Sequence, residues 1–143
     1  MQEYLDFVTR NPLLSAAWLG LAGTLVYTTV RATLSPVKTV NNHGATLLIN
    51  REDAIVIDTR GQDEYAKGHL AGALHLPLSQ IQGNNLGTVE KHKDAPIIVV
   101  CESGMTAGGA ARQLSKAGFK QVYVLGGGMA QWRADNLPVT KKR

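Results

Sequence analysis

The chain of 143 residues holds one cysteine, Cys101. A lone thiol closes no internal disulfide, so the fold owes nothing to oxidation and the sulfur is expected in a reducing compartment. Nor can it make a typical structural zinc site, and His43, His69, His75 and His92 show no ligand spacing, so no metal is expected. Internal repeats and low-complexity tracts are absent. No G-K-[ST] follows "GGG" at Gly126 to Gly128, and the helix after it is too short, which excludes a nucleotide-phosphate loop. The formal charge of +4 has no focus beyond the tail Lys141 to Arg143. That is a solvated basic surface, and no nucleic-acid partner is expected. What is present is a 44% apolar composition in a length suited to one domain with an appendage.

Charge is missing altogether from Pro12 to Val30, "PLLSAAWLGLAGTLVYTTV". A helix of that length rises about 28 Å, close to the roughly 30 Å of bilayer hydrocarbon. Asn11 suits its N-cap and Pro12 its first position, where the missing N–H would be unpaired anyway. A cleaved signal peptide competes, but such segments lead with basic residues, have a shorter apolar core and end at an A-x-A-like site. Here Glu3 and Asp6 accompany Arg10 before the run, and "RATLSP" follows it. A buried helix of a soluble protein is the third reading. The sequence favours a retained anchor: a short tail over 1–11, a transmembrane helix over 12–31, a linker over 32–37 and a soluble domain over 38–143. Arg31, Lys38 and Arg51 after the span, against Arg10 before it, point that domain toward the cytoplasm. Ala16 and Gly20 form a small-xxx-small pair that would let two such helices approach, though small residues are common in spanning helices.

After the linker, Asn41 predicts a cap for a short surface helix with Ala45, Leu48 and Ile49 at helical spacing and Leu47 beside them. "AIVID", Ala54 to Asp58, reads as a buried parallel strand, and "QDEYAK" as a helical turn ended by Gly68. "ALHLP" is a short strand stopped by Pro77, "IIVV" from Ile97 to Val100 a second apolar strand, and "QVYVL" a third. A helix is predicted from Ala107 to Ala117, terminated by Gly118, and a last short one over "MAQWRAD". The stretch around Gly83 to Gly87 is loop-rich, with one helical turn nearby. Strands alternating with helices predict an α/β fold, a parallel sheet covered on both faces, with reactive groups at the carboxyl ends of strands. Cys101 stands at such an end.

Only the ionised sulfur is a competent nucleophile, and an unperturbed cysteine titrates at about 8.5. If "ESGMT", Glu102 to Thr106, curls so that its N–H groups point at the sulfur, the result is an anion nest backed by a helix N-terminus. Gly104 supplies the backbone freedom for the curl. The same nest would hold a persulfide, R–S–S⁻. The competing reading is a small buried hydrophobe, since free cysteine is among the most buried residue types. Pattern alone leaves both open.

Three separated stretches resemble a rhodanese domain, the fold that carries a sulfane sulfur on a loop cysteine. "IDTRGQDEYAKGHLAGALHLP", Ile57 to Pro77, is similar to the signature D-x-R … E-[FY]-x-x-G-H-[IL]-x-G-A … P. "CESGMT" resembles the six-residue active loop beginning C-x-x-G, and "GGMAQW", Gly127 to Trp132, resembles G-G-x-x-x-W. The resemblance spans roughly Lys38 to Val139. It implies a three-layer fold around a central parallel sheet, a sulfurtransferase with Cys101 as nucleophile, and no cofactor. The amides of Glu102, Ser103, Gly104, Met105 and Thr106 would hold the transferred sulfur. Asp58 and Arg60 would support loop and sheet, with Glu64 an ionic partner for Arg60. His69 would support the fold through a hydrogen bond to nearby backbone. The whole chain, apolar run included, also resembles short membrane-anchored rhodanese-like proteins of gammaproteobacteria, which implies a bacterial inner-membrane location.

One departure bears on substrate. Family members active on thiosulfate often carry Arg or Lys late in the loop, where this chain has Met105 and Thr106. A threonine hydroxyl replaces neither the charge nor the bidentate hydrogen bonds of a guanidinium. Glu102, beside the sulfur, would further repel anionic donors. The expectation is weak thiosulfate turnover, with a protein or small-molecule persulfide as donor and a thiol as acceptor. The related cysteine phosphatases need a longer C-x₅-R loop, which is lacking here. The rival from another class is a rhodanese fold of slight or absent chemistry that binds membrane-protein partners.

Overall fold

A computed structural model describes residues 1–33 and 37–141. Of the linker expected over 32–37, residues 34–36 lie outside the described residues, as do residues 142–143 of the basic tail. The chain divides into two units, Met1–Ser35 and Pro36–Arg143.

In the first unit, residues expected as a tail form helix α1, Gln2–Arg10. Tyr4, Leu5 and Val8 recur at helical spacing, and Glu3 in the first turn and Arg10 in the last complement the helix dipole. At φ −127°, ψ 67° Asn11 leaves the helix, and its backbone N–H and side-chain amide donate to the Phe7 carbonyl at 3.1 and 3.3 Å. The Asn11 side chain thus closes α1 instead of capping the next helix, contrary to expectation. Its carbonyl starts that helix by accepting from the Ser15 N–H at 3.0 Å. Helix α2, Pro12–Thr33, begins at the proline as expected. Its stretch Pro12–Arg31 is long and apolar enough to cross a membrane, and none of it is buried. Thr24 donates to the Gly20 carbonyl at 2.8 Å, and Thr28 and Thr29 to that of Leu25 at 2.9 and 2.8 Å, so their hydroxyls are satisfied within the helix.

The second unit is built on five parallel strands: β1 Val37–Val40, β2 Ile55–Asp58, β3 Leu74–His75, β4 Pro96–Val100 and β5 Gln121–Leu125. Their order is β1-β5-β4-β2-β3. No strand is expected from the sequence at β1, whose first residue, Val37, ends the expected linker. Val37 and Val40 are half-buried while Lys38 and Thr39 face out, and the strand pairs with β5 in the register Val37 to Val122. Central β4 is buried along its whole length, which fits a strand covered on both faces.

Its alternation sorts two cores. Ile97 and Val99 join Ile57, Val122 and Val124 against α6, Ala107–Lys116, through Ala107, Ala110, Ala111 and Leu114. Those four positions form one apolar stripe, and its three alanines let α6 seat close to the sheet. Short helices α5, Leu78–Gln82, and a 3-10 turn, Gly87–His92, complete that face with Ile81 and Val89. On the opposite face Ile98, Val100, Val56 and Leu125 meet α3, Asn42–Glu52, and α7, Gly128–Ala134, with Tyr65 of α4, Gln62–Lys67. Asn41 caps α3 as predicted, its side chain accepting from the Gly44 N–H at 2.8 Å.

Candidate active site

The carboxyl ends of β2, β4 and β5 are neighbours, and each delivers one part of the site. Cys101 follows β4 directly and is only 3% exposed, packed with the α6-side core. The Gly104 N–H donates to its Sγ at 2.9 Å, and among the described residues no other hydrogen bond reaches the sulfur. The amides of Glu102, Ser103, Met105 and Thr106 therefore make no bond to Sγ itself. The chain then turns through exposed Met105, at 84%, into the first turn of α6.

Two glycines make this loop possible. Gly104 sits at φ +88°, and a Cβ there would meet Gly127 N at 3.1 Å and Leu125 O at 3.3 Å. Gly128 sits at φ +58°, and a Cβ there would come within 2.3 Å of Cys101 O and 2.6 Å of Glu102 O. With no side chain in the way, the first turn of α7 lies on the loop backbone. Its Met129 and Ala130 N–H groups donate to the Cys101 and Glu102 carbonyls at 2.9 Å each. From the other side, Thr59 after β2 donates to the Val100 carbonyl through its N–H at 2.9 Å and its hydroxyl at 3.0 Å. The peptide carrying Cys101 is thus fixed by backbone donors from both flanking strand ends.

Asp58 and Arg60 form a buried ion pair. Arg60 Nε donates to Asp58 Oδ1 at 3.0 Å and Nη2 to Oδ2 at 2.8 Å, a fork-on-fork arrangement, and Nη2 also reaches the Gly68 carbonyl at 2.6 Å. Its remaining arm, Nη1, meets Glu102 Oε2 at 3.4 Å. Arg133 of α7 pairs with the other oxygen, Oε1. Glu64 is not among the ion-pair partners of Arg60, contrary to expectation. Arg60 precedes the helix that carries Glu64, and its guanidinium turns back to Asp58 and forward to the loop. Burial acts to raise the Glu102 proton affinity, but the hydrogen bonds and charges of Arg133 and Arg60 outweigh it and hold the carboxyl below its ordinary value. Burial likewise acts to lower that of Arg60, and Asp58, then Glu102, outweigh it. With two guanidiniums on it, Glu102 repels an anion less than its position in the sequence suggested. Arg60, Lys67, Glu102 and Arg133 are among the residues lining a cleft of about 360 Å³ beside the loop. No group of three His, Cys, Asp or Glu side chains converges among the described residues.

A family model for the Rhodanese-like domain matches residues 43–135. The chain belongs to the rhodanese-like family. Over 141 residues it is 48% identical to YibN of Escherichia coli K12, covering 99% of each chain. It is 34% identical over 97 residues to the thiosulfate sulfurtransferase GlpE of Coxiella burnetii, 68% of this chain and 88% of that one. Among solved structures, a rhodanese-related protein of Thermoplasma volcanium superposes with a TM-score of 0.60 at 25% identity, over 73% of this chain and 99% of its own. The family is of sulfurtransferase type.

The remaining rhodanese-like motif residues hold the frame. His69 Nδ1 donates to the Tyr65 carbonyl at 2.7 Å, its ring stacks on Tyr65 at 3.8 Å, and its backbone bridges to Thr140. His75 stacks on Tyr65 at 4.7 Å and its Nε2 donates to the Arg60 carbonyl at 2.8 Å. The Tyr65 hydroxyl donates to Ala73 O at 2.6 Å, and Trp132 Nε1 to Pro138 O at 3.0 Å. Thr59, Arg133 and the role of Gly128 were not foreseen. Arg133 stands 31 residues from its partner, and nothing local in the sequence signals the contact.

Proposed function

We propose that the protein is a membrane-anchored sulfurtransferase that carries sulfane sulfur as a persulfide on Cys101 and passes it to a thiol acceptor. The observation that carries this reading is the Gly104 N–H aimed at Sγ at 2.9 Å, in a loop whose backbone is clamped from β2 and from α7. The Cys101 thiolate attacks the outer sulfur of a donor R–S–S–H. A new S–S bond forms to Cys101 as the donor bond breaks, and R–S⁻ leaves. An acceptor thiolate then takes the terminal sulfur, returning Cys101 to the thiolate with no net oxidation. Main-chain donors would hold the charge on the terminal sulfur. Met105 and Thr106 leave the loop without a cation, so a protein or small-molecule persulfide suits it better than thiosulfate.

In the same reading α2 crosses a bacterial inner membrane. The apolar stretch Pro12–Arg31 rises about 30 Å, its large side chains are uncovered, and its threonine hydroxyls are satisfied internally, as lipid demands. Arg31, Lys38 and Arg51 after the span favour a cytoplasmic domain.

The test loads the full chain, in detergent micelles, with a persulfide donor and reads its mass. The expected product is heavier by one sulfur and absent from Cys101→Ser. A second reading, a platform for membrane-protein partners with slight chemistry, draws on the depth of Cys101, at 3% exposure, under a loop that shows Met105 to solvent. No adduct on the parent chain, with partner capture unchanged in Cys101→Ser, would favour that reading.

A further inference from the structure

Helix α1 separates its residues cleanly. At 100° per residue, Tyr4, Leu5, Phe7 and Val8 fall in an arc of about 160°, and Gln2, Glu3, Asp6, Thr9 and Arg10 in an opposite arc of about 120°. All four apolar side chains are exposed, from 77% at Tyr4 to 49% at Val8, and no residue of α1 is buried. A helix of nine residues is marginal in water, so its apolar face needs a covering surface if it is to persist.

Continuity of the chain names that surface. Only Asn11 stands between α1 and α2, so wherever Pro12 enters hydrocarbon, the last residue of α1 lies within about 7 Å of it along the chain. The joint is also chemically prepared for that depth. The Phe7 carbonyl, left open by the end of α1, accepts both Asn11 donors, Pro12 has no N–H to satisfy, and the Thr9 hydroxyl donates to Leu5 O and Asp6 O at 3.1 and 3.0 Å. Glu3, Asp6 and Arg10 leave the polar face without a basic excess, so attraction to anionic lipid is not what would bind it.

We propose that α1 lies along the headgroup–acyl boundary of the leaflet at which α2 enters, with Tyr4, Leu5, Phe7 and Val8 toward the acyl chains. The apolar face and the tether supply the binding, and lipid charge does not. This rests on α2 spanning the bilayer.

The experiment uses the full chain carrying Cys101→Ser, which leaves any introduced cysteine as the sole labelling site. Nitroxides are placed by Glu3→Cys, Leu5→Cys, Asp6→Cys, Val8→Cys and, in α2, Leu19→Cys, in phosphatidylcholine vesicles with and without phosphatidylglycerol. The ratio of oxygen to nickel-chelate accessibility should be several-fold higher at positions 5 and 8 than at 3 and 6, highest at 19, and the same in both lipids. Uniform nickel access across α1 with position 19 still in hydrocarbon would overturn the interfacial placement and leave the span standing. Nickel access at 19 as well would remove the span and the inference together. Protection of 5 and 8 from both reagents would mean that protein covers the face, and would also overturn it.

Discussion

Replacing Gly128 with alanine tests whether α7 truly seats the cysteine loop. Two costs are separable. Gly128 sits at φ +58°, where a side chain costs about 1 to 2 kcal/mol in any surroundings. The added Cβ would also lie 2.3 Å from Cys101 O, 2.6 Å from Glu102 O and 2.7 Å from Glu102 C, all backbone atoms that cannot swing aside. Relief requires the loop and α7 to part by up to about 1 Å, weakening the two 2.9 Å bonds from Met129 and Ala130, each contributing about 0.5 to 1.5 kcal/mol. Gly87 is the matched control, at φ +57° with nothing within 4 Å of its added Cβ. Gly87→Ala should therefore lose about 1 to 2 kcal/mol. Gly128→Ala should lose a further 1 to 3 kcal/mol or so. Urea unfolding of the full chain in micelles, followed by fluorescence of buried Trp132 in a Trp18→Phe background, measures both. Sulfur loading supplies the second readout, because a displacement near 1 Å lowers the rate about 100-fold, and only Gly128→Ala should show it. Equal destabilisation in the two variants, or normal loading in Gly128→Ala, would refute the idea that α7 positions the loop.

Asp58→Ala strands a guanidinium that is almost wholly buried, and should destabilise the fold by about 3 to 5 kcal/mol in the same unfolding assay. Glu102 has a folded-state proton affinity below its ordinary value near 4.5, so its contacts with Arg133 and Arg60 stabilise the fold above that pH and are lost as pH falls through the lowered value. The pair is half-exposed, so Glu102→Gln should lose no more than about 1 kcal/mol at neutral pH and flatten the stability curve only below about pH 4.5, read by unfolding across pH. Met105→Arg places a cation on the loop and should raise kcat/KM for thiosulfate about tenfold, the worth of roughly one charge-assisted hydrogen bond, in a cyanide-acceptor assay. An unchanged value would show that the missing loop cation does not limit that donor.

The strands that carry the site were legible because they are buried on both faces. "AIVID", "IIVV" and "QVYVL" leave no polar alternation, and that is a property of composition alone. Edge strand β1 is not legible as a strand because "VKTV" shows two outward polar residues and follows a proline at the linker's end. Helix α1 carries a helical period in Tyr4, Leu5 and Val8, but nine residues are too few for that period to stand out beside a long apolar run. Asn11 serves α1 and not α2 because a residue between two helices offers its side chain to only one of them. The second ionic partner of Arg60 lies beyond local reach for a related reason. Sequence spacing favours Glu64, but Arg60 lies outside the helix, and its free arm meets a carboxylate 42 residues away. The convergence of the candidate site residues was legible because the topology requires it. Parallel pairing puts every carboxyl end on one edge, and the strand order sets β4 between β5 and β2. Motifs placed after those three strands must therefore meet around Cys101, Asp58 and Arg60 from one side and the glycines from the other. Contacts made by backbone at strand ends follow from strand order, whereas those made by the tips of long side chains, Arg133 with Glu102 above all, depend on helix placement that no local pattern encodes.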